Sequence, residues 1–296
     1  MSGRLNHRLP RPAYRSILAG YRGLRKLAGK NPGRGRTLPD FVIIGAAKAG
    51  TTSIYAWLCQ HPYVARAGAK EIHYFSWHHD RGADWYRSHF PLERDRASFT
   101  AEHDRPFATG EGSPTYLPSP NAPLRMATLI PEVKLIVVLR DPVDRAYSQF
   151  QMRRRDGFEP VDSFATAVAL EDERVDGGRA RALSTQAKDG QLEVGRTYLM
   201  RGRYAEQLDR WFQYFPREQF HVLTTDQLAA DSQNALDGLH NFLGLPSHRV
   251  ERLEARFATQ YDPLASEDRE LLDEYFREPN ERLCHLLGQD FGWGSK

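Results

Sequence analysis

The apolar positions of the chain fall into short unbroken runs separated by longer amphipathic stretches, and the two kinds alternate. Phe41-Val42-Ile43-Ile44 is a largely β-branched run that reads as a buried strand. It leads through a small-residue loop into a helical stretch over Ile54 to Cys59, stopped by His61-Pro62. Lys70-Glu71-Ile72-His73-Tyr74-Phe75 predicts a second short strand, and Trp85-Tyr86 a packing anchor. Gly110 to Tyr116 reads as a turn-rich segment. Lys134-Leu135-Ile136-Val137-Val138-Leu139 is the strongest strand signal, and so continuous an aliphatic run predicts a central parallel strand covered on both faces. Phe220 to Leu223 predicts another strand.

Helices are predicted over Asn121 to Leu129, Val143 to Arg155, Tyr198 to Phe215 and Asp231 to Leu243, the last closed by Gly244 and Pro246. Asp141 and Pro142 have the residue types of an N-cap and a first helical position. Leu199, Leu208, Trp211, Phe212 and Phe215 are core candidates. The tail from Ser266 reads as a helix that buries Leu271, Leu272, Phe276, Leu283 and Leu286 on one face. Strands alternating with helices predict an α/β fold, a three-layer sandwich around a mostly parallel sheet.

The net charge of +3 hides an asymmetry. Ten Lys or Arg and no acidic residue lie between Arg4 and Arg36, so the rest of the chain carries −7. This divides the chain into a basic arm, residues 1–38, and a single domain over residues 39–296. Within the arm, Ala13 to Ala28 can form a basic amphipathic helix, suited to an anionic membrane surface or an acidic partner; the alternative is an arm packed on the domain or disordered. The acidic balance of the domain argues against nucleic acid as a partner. No apolar run reaches the about eighteen residues that cross a bilayer, and the basic start leads into no apolar segment of a signal peptide. Cys59 and Cys284 sit in no metal or redox spacing, which predicts reduced thiols and a cytoplasmic chain, or one peripheral at a membrane.

The candidate chemistry begins at Gly45-Ala46-Ala47-Lys48-Ala49-Gly50-Thr51-Thr52. A strand, a small-residue loop with one Lys and hydroxyl residues opening a helix make an anion site, because the first N–H groups of a helix lack partners and the peptide dipoles place partial positive charge there. An ATP loop of the Walker type needs Lys directly after the second Gly. Here Lys48 precedes Gly50 by two residues. Arg140, directly after the strongest strand, and Ser148, two turns into the next helix, are placed to share a second phosphate.

These two segments resemble the hallmarks of sulfotransferases that use 3′-phosphoadenosine 5′-phosphosulfate (PAPS). The Gly45 to Thr52 loop is similar to their 5′-phosphosulfate loop, and Leu135 to Ser148 to the segment that reads the 3′-phosphate. Lys70 to Phe75, Trp85-Tyr86, Gly110 to Tyr116, Gly202-Arg203-Tyr204 with Leu208 and Trp211, Phe242 to Leu245 and Phe291-Gly292-Trp293 resemble the heparan sulfate sulfotransferase branch and its bacterial relatives. The resemblance covers about residues 39 to 293. It implies in-line sulfuryl transfer from PAPS to a hydroxyl, releasing adenosine 3′,5′-bisphosphate (PAP). It places Ala47, Lys48, Ala49, Gly50, Thr51, Thr52, Arg140 and Ser148 on the donor, Lys48 also on the charge growing on the leaving phosphate, and a catalytic Glu at Glu71. His73, on the same face of a strand, would assist or replace Glu71 as base. No metal is expected.

Two departures bear on the acceptor. Gly112 stands where the animal heparan sulfate enzymes carry a Lys, and the loop with their Lys-Gly-Arg contact to the 3′-phosphate has no counterpart, although Arg203 is a candidate for part of that contact. Both argue against a heparan-like acceptor and leave a hydroxyl of a carbohydrate, glycolipid or small natural product, chosen by loops such as residues 76–110 and 156–197. The alternatives are a P-loop nucleotide kinase-like enzyme and an inactive membrane-surface binding protein on the same fold.

Overall fold

In a computed structural model of the chain, residues 33–176, 197–251, 253 and 262–294 are described. The aliphatic runs pair into one sheet of five strands: β1 (Phe41–Gly45), β2 (Val64–Arg66), β3 (Ala108–Gly112), β4 (Lys134–Leu139) and β5 (Phe220–Thr224). The order is β2-β3-β1-β4-β5, and every pair is parallel. β1 and the last five residues of β4 are buried on both faces, as unbroken apolar runs require. β1 lies at the switch point of the winding, with β3 on one side and β4 on the other. In such sheets the crevice for ligands opens at the carboxyl ends of the strands.

The described helices are α1 (Thr51–Leu58), α2 (Gly82–Arg87), α3 (Glu93–His103), α4 (Ala122–Leu129), α5 (Pro142–Arg155), α6 (Phe164–Ala169), α7 (Tyr204–Phe212), α8 (Thr225–Ala230), α9 (Ser232–Leu243) and α10 (Ser266–Leu287). α1 packs with α9, while α10 packs with α7 and α5, giving the α/β three-layer sandwich. Caps fall where the sequence puts them. Asp141 accepts hydrogen bonds from the Val143 and Asp144 N–H groups at 2.9 and 3.0 Å, and Gly244 closes α9 in the left-handed conformation. A second cluster of Val143, Phe150, Phe164, Tyr198 and Phe276 joins α5, α6 and α10. Both cysteines are free thiols.

Four expectations are corrected. Residues 70 to 75 form turns, not a strand, with Glu71 at φ 62° and His73 at φ 55°. The strand on that side is β2, too short for its pattern to stand out. The segment read as turns, from Gly110, instead begins within β3, where Gly110 lies flat against the Phe41 backbone and leaves no room for a side chain. The helix expected over Tyr198 to Phe215 is a single tight turn, Met200–Gly202, followed by α7. Leu271 is 71% exposed, so α10 buries Leu272, Phe276 and Leu283 without it. The candidate basic helix at residues 13–28 lies outside the described residues.

Candidate active site

The loop after β1 is pinned from three sides. The Ala46 N–H donates to the Val138 carbonyl at 2.7 Å, the Arg140 guanidinium to the Lys48 carbonyl at 3.3 Å, and the Thr225 hydroxyl to the Ala49 carbonyl at 3.2 Å. Lys48 is at φ 72° and Gly50 at φ 94°, so the chain doubles back before Thr51 opens α1. At Gly50 a side chain would be strained by the backbone conformation alone. No side chain caps α1.

Lys48 rests its ammonium 3.4 Å from the Met152 sulfur. Burial lowers its pKa, and the Arg155 and Arg140 guanidiniums lower it further, with Asp156 opposing. Positive charge from Lys48 and Arg140 thus gathers beside the N-terminus of α1, as an anion site requires. Arg140 itself pairs with Asp144 only at 3.9 Å. Ser148 is buried on α5, two turns beyond Arg140. Tyr204, at the start of α7, donates to the Arg140 carbonyl at 2.9 Å, whereas the Arg203 guanidinium pairs with Glu206 at 2.6 Å.

The Glu71 and His73 side chains meet in a turn rather than along a strand. His73 Nε2 lies 3.3 Å from Glu71 Oε2, and its Nδ1 is 2.9 Å from the Thr115 hydroxyl. Lys70 Nζ donates to Thr52 Oγ1 at 3.0 Å and to Glu71 Oε1 at 3.3 Å, so it ties this turn to the first residues of α1. Burial would raise the Glu71 pKa. The His73 hydrogen bond and the Lys70 and His73 charges prevail and carry it down to about 2. The sequence brought Glu71 together with His73, and Lys70 is its neighbour in the chain, but nothing in the sequence marked the Lys70 bond to Thr52 or the contact with Thr115.

A further cation, Arg201, escaped the sequence reading because nothing in its spacing marks it. Arg201 is 9% exposed. Burial together with Arg145 and Arg153 pushes its pKa down to about 9, while Glu71 and Glu171 oppose. The turn that carries it is fixed by the Glu171 carboxylate, which accepts from the Tyr198, Leu199 and Met200 N–H groups at 2.6, 2.8 and 2.8 Å. Arg145 also donates to the Tyr198 carbonyl.

The sheet thus collects Lys48, Arg140 and the Glu71–His73 turn at its carboxyl end. A separate cavity of about 330 Å³ lies at the opposite end, lined by Asp40, Phe107, Glu132, Lys134 and Leu245. Among the described residues no helix is long and apolar enough to cross a membrane.

A family model described as the sulfotransferase domain matches residues 38–262. The chain is 30% identical over 289 residues to human heparan sulfate glucosamine 3-O-sulfotransferase 6, covering 89% of this chain and 75% of that protein. It is 27% identical to the membrane-associated sulfotransferase kil1 of Dictyostelium discoideum and 29% identical to human bifunctional heparan sulfate N-deacetylase/N-sulfotransferase 3. These matches cover 86% and 85% of this chain but only 66% and 30% of the two proteins. Among solved structures, a sulfotransferase from Alicyclobacillus acidocaldarius superposes with a TM-score of 0.65 at 30% identity, covering 88% of this chain and all of that one. With the loop after β1, Arg140 and the Glu71–His73 turn together at the carboxyl end of a parallel sheet, the chain belongs to the sulfotransferase family and is a sulfotransferase enzyme.

Proposed function

We propose that the enzyme moves the sulfuryl group of PAPS to a carbohydrate hydroxyl, with Glu71 accepting the hydroxyl proton. The observation that carries this reading is the continuous line Thr52, Lys70, Glu71, His73. It sets a carboxylate one lysine away from the N-terminus of a phosphate-binding helix. The human 3-O-sulfotransferase relative, named for a glucosamine hydroxyl, supports a glycan acceptor over the other hydroxyl classes.

The residues divide the work as follows. Lys48 and the N–H groups at Thr51 and Thr52 hold the 5′-phosphate and stabilise the charge it gains as its bond to sulfur breaks. Arg140 and Ser148 hold the 3′-phosphate, Arg140 as a fixed charge. The acceptor oxygen attacks sulfur from the side of Glu71. As the new O–S bond forms, its proton passes to the Glu71 carboxylate. While Lys70 and His73 both sit on it, that carboxylate is a weak base. A bound sulfuryl group competes for Lys70 and returns basicity to Glu71. The basic arm of residues 1–38 has the charge for peripheral contact with an anionic membrane.

Calorimetric titration with PAP, with ADP as control, tests the donor. Tight binding that depends on the 3′-phosphate is expected. Equal affinity for ADP would return the loop to a generic phosphate site and favour the kinase-like reading.

A further inference from the structure

Directly beneath the Glu71–His73 turn, β3 buries a second carboxylate. Glu111 is fully buried, in a strand whose sequence, Ala-Thr-Gly-Glu-Gly, offers no apolar reason for a strand there. A carboxyl group in such a place is strongly destabilising unless it is hydrogen-bonded. Three hydroxyls satisfy it: Ser113 Oγ at 2.7 Å, Tyr116 at 2.7 Å and Tyr86 at 3.3 Å.

The direction of these bonds matters. Ser113 Oγ donates to the Glu111 carboxyl, which leaves the Ser113 lone pairs to accept. They accept the His73 N–H at 3.0 Å. Glu71 and His73 are non-glycine residues in left-handed conformations, and such strained backbone persists only where surroundings hold it. Beside the Lys70 bond to Thr52, three holds on this turn come from the few residues that follow Glu111. The Glu71 N–H donates to the Gly112 carbonyl at 3.2 Å, the His73 N–H to Ser113, and the His73 ring meets Thr115 at 2.9 Å.

We propose that Glu111 is a positioning residue for the reaction: acting through Ser113, it fixes the His73 backbone and with it the aim of Glu71 at the acceptor hydroxyl. The proposal rests on Glu71 being the base. Glu111 touches neither donor nor acceptor. The titratable groups facing it are His73 from the turn, Tyr86 from α2, Tyr116 from the segment after β3 and Tyr55 from α1. Burial raises its pKa, and the hydroxyls of Tyr116 and Ser113 and the His73 charge oppose that rise.

Glu111→Gln keeps the shape and Ser113→Ala removes only the relay, leaving Glu111 on its two tyrosines. Each full-length variant is followed in three ways: PAP affinity by calorimetry, the Glu71 carboxyl titration by carbon-13 NMR, and turnover with PAPS. Both variants should keep PAP affinity within about twofold. The Glu71 midpoint should rise above that measured in the wild type, and kcat should fall roughly tenfold to a hundredfold with KM for PAPS unchanged. If Glu111→Gln does not fold, Ser113→Ala decides. An unmoved Glu71 titration in the folded variants, or a shift in Ser113→Ala alone while Glu111→Gln folds, overturns the proposal. The NMR readout needs no acceptor, so a failure here is distinct from a failure of PAP to bind the wild type.

Discussion

Replacing Lys48 by Ala removes one charge from the donor loop while leaving the loop's shape to other groups. The Arg140 bond at 3.3 Å falls on the Lys48 carbonyl, not its side chain, and the Ala46 N–H keeps its partner on β4. The lost interaction is a charge-assisted hydrogen bond to a phosphate oxygen, worth about 1.5–3 kcal/mol, so PAP affinity should fall about 10- to 150-fold. Arg140→Ala should cost a similar factor for PAP plus about 1 kcal/mol of folding stability, because it also releases the Lys48 carbonyl. The two changes share the loop, so the double variant should lose at least about 0.5 kcal/mol less than the sum of the single losses. Calorimetry with PAP and ADP separates the roles: Lys48→Ala weakens both ligands, and Arg140→Ala weakens PAP more than ADP. A Lys48→Ala protein that binds PAP within twofold of wild type refutes the placement of Lys48 on the donor.

Two further predictions concern the scaffold. His61, His240 and His248 pack ring to ring, with His61 4.8 Å from His240 and 5.1 Å from His248. Burial depresses the His61 pKa from 6.5 to about 4, with the Pro246 carbonyl opposing and the two histidine neighbours adding to the fall. The unfolded chain therefore binds the extra proton first, so stability is present above pH 6.5 and is lost as pH falls toward 4, by at most about 1.4 kcal/mol per pH unit for one histidine. Among the described residues neither ring nitrogen of buried His240 has a hydrogen-bond partner, Nδ1 lying 3.8 Å from the Asp237 carboxylate, so His240→Phe should stabilise the fold by about 1 kcal/mol and flatten the acid decline in Tm; a lower Tm at pH 7 would contradict this. Phe276 is fully buried on α10, and its ring sits where a side chain at Gly202 would clash, 2.8 Å from that position. Phe276→Ala should cost about 3–5 kcal/mol in urea unfolding with the slope unchanged, and a loss under 1 kcal/mol would show that α10 does not clamp the Met200–Gly202 turn.

The donor loop and the Arg140 segment were legible because local forces decide them. Phe41 to Ile44 and Lys134 to Leu139 are apolar on both faces, and Asp141-Pro142 caps its own helix. Residues 70 to 75 misled because their alternation is that of a strand. Their backbone is instead set from outside, by Gly112 and Ser113. β3 was hidden for the complementary reason: its glycines weaken any strand signal, yet Gly110 is what lets β3 approach Phe41. Lys70 reaches Thr52 and Glu111 reaches Tyr86 across the fold, and Arg201 is buried beside the distant Arg145 and Arg153; a linear pattern carries no record of such contacts.

Transfer of radiolabelled sulfate from PAPS to an unsulfated polysaccharide bearing free hydroxyls, by wild type and by Glu71→Gln, tests the assigned chemistry most directly. Glu71→Gln should bind PAP as wild type does and transfer about 100- to 10,000-fold more slowly, the usual share of a general base. A Glu71→Gln protein that transfers sulfate at the wild-type rate would remove Glu71 from the reaction.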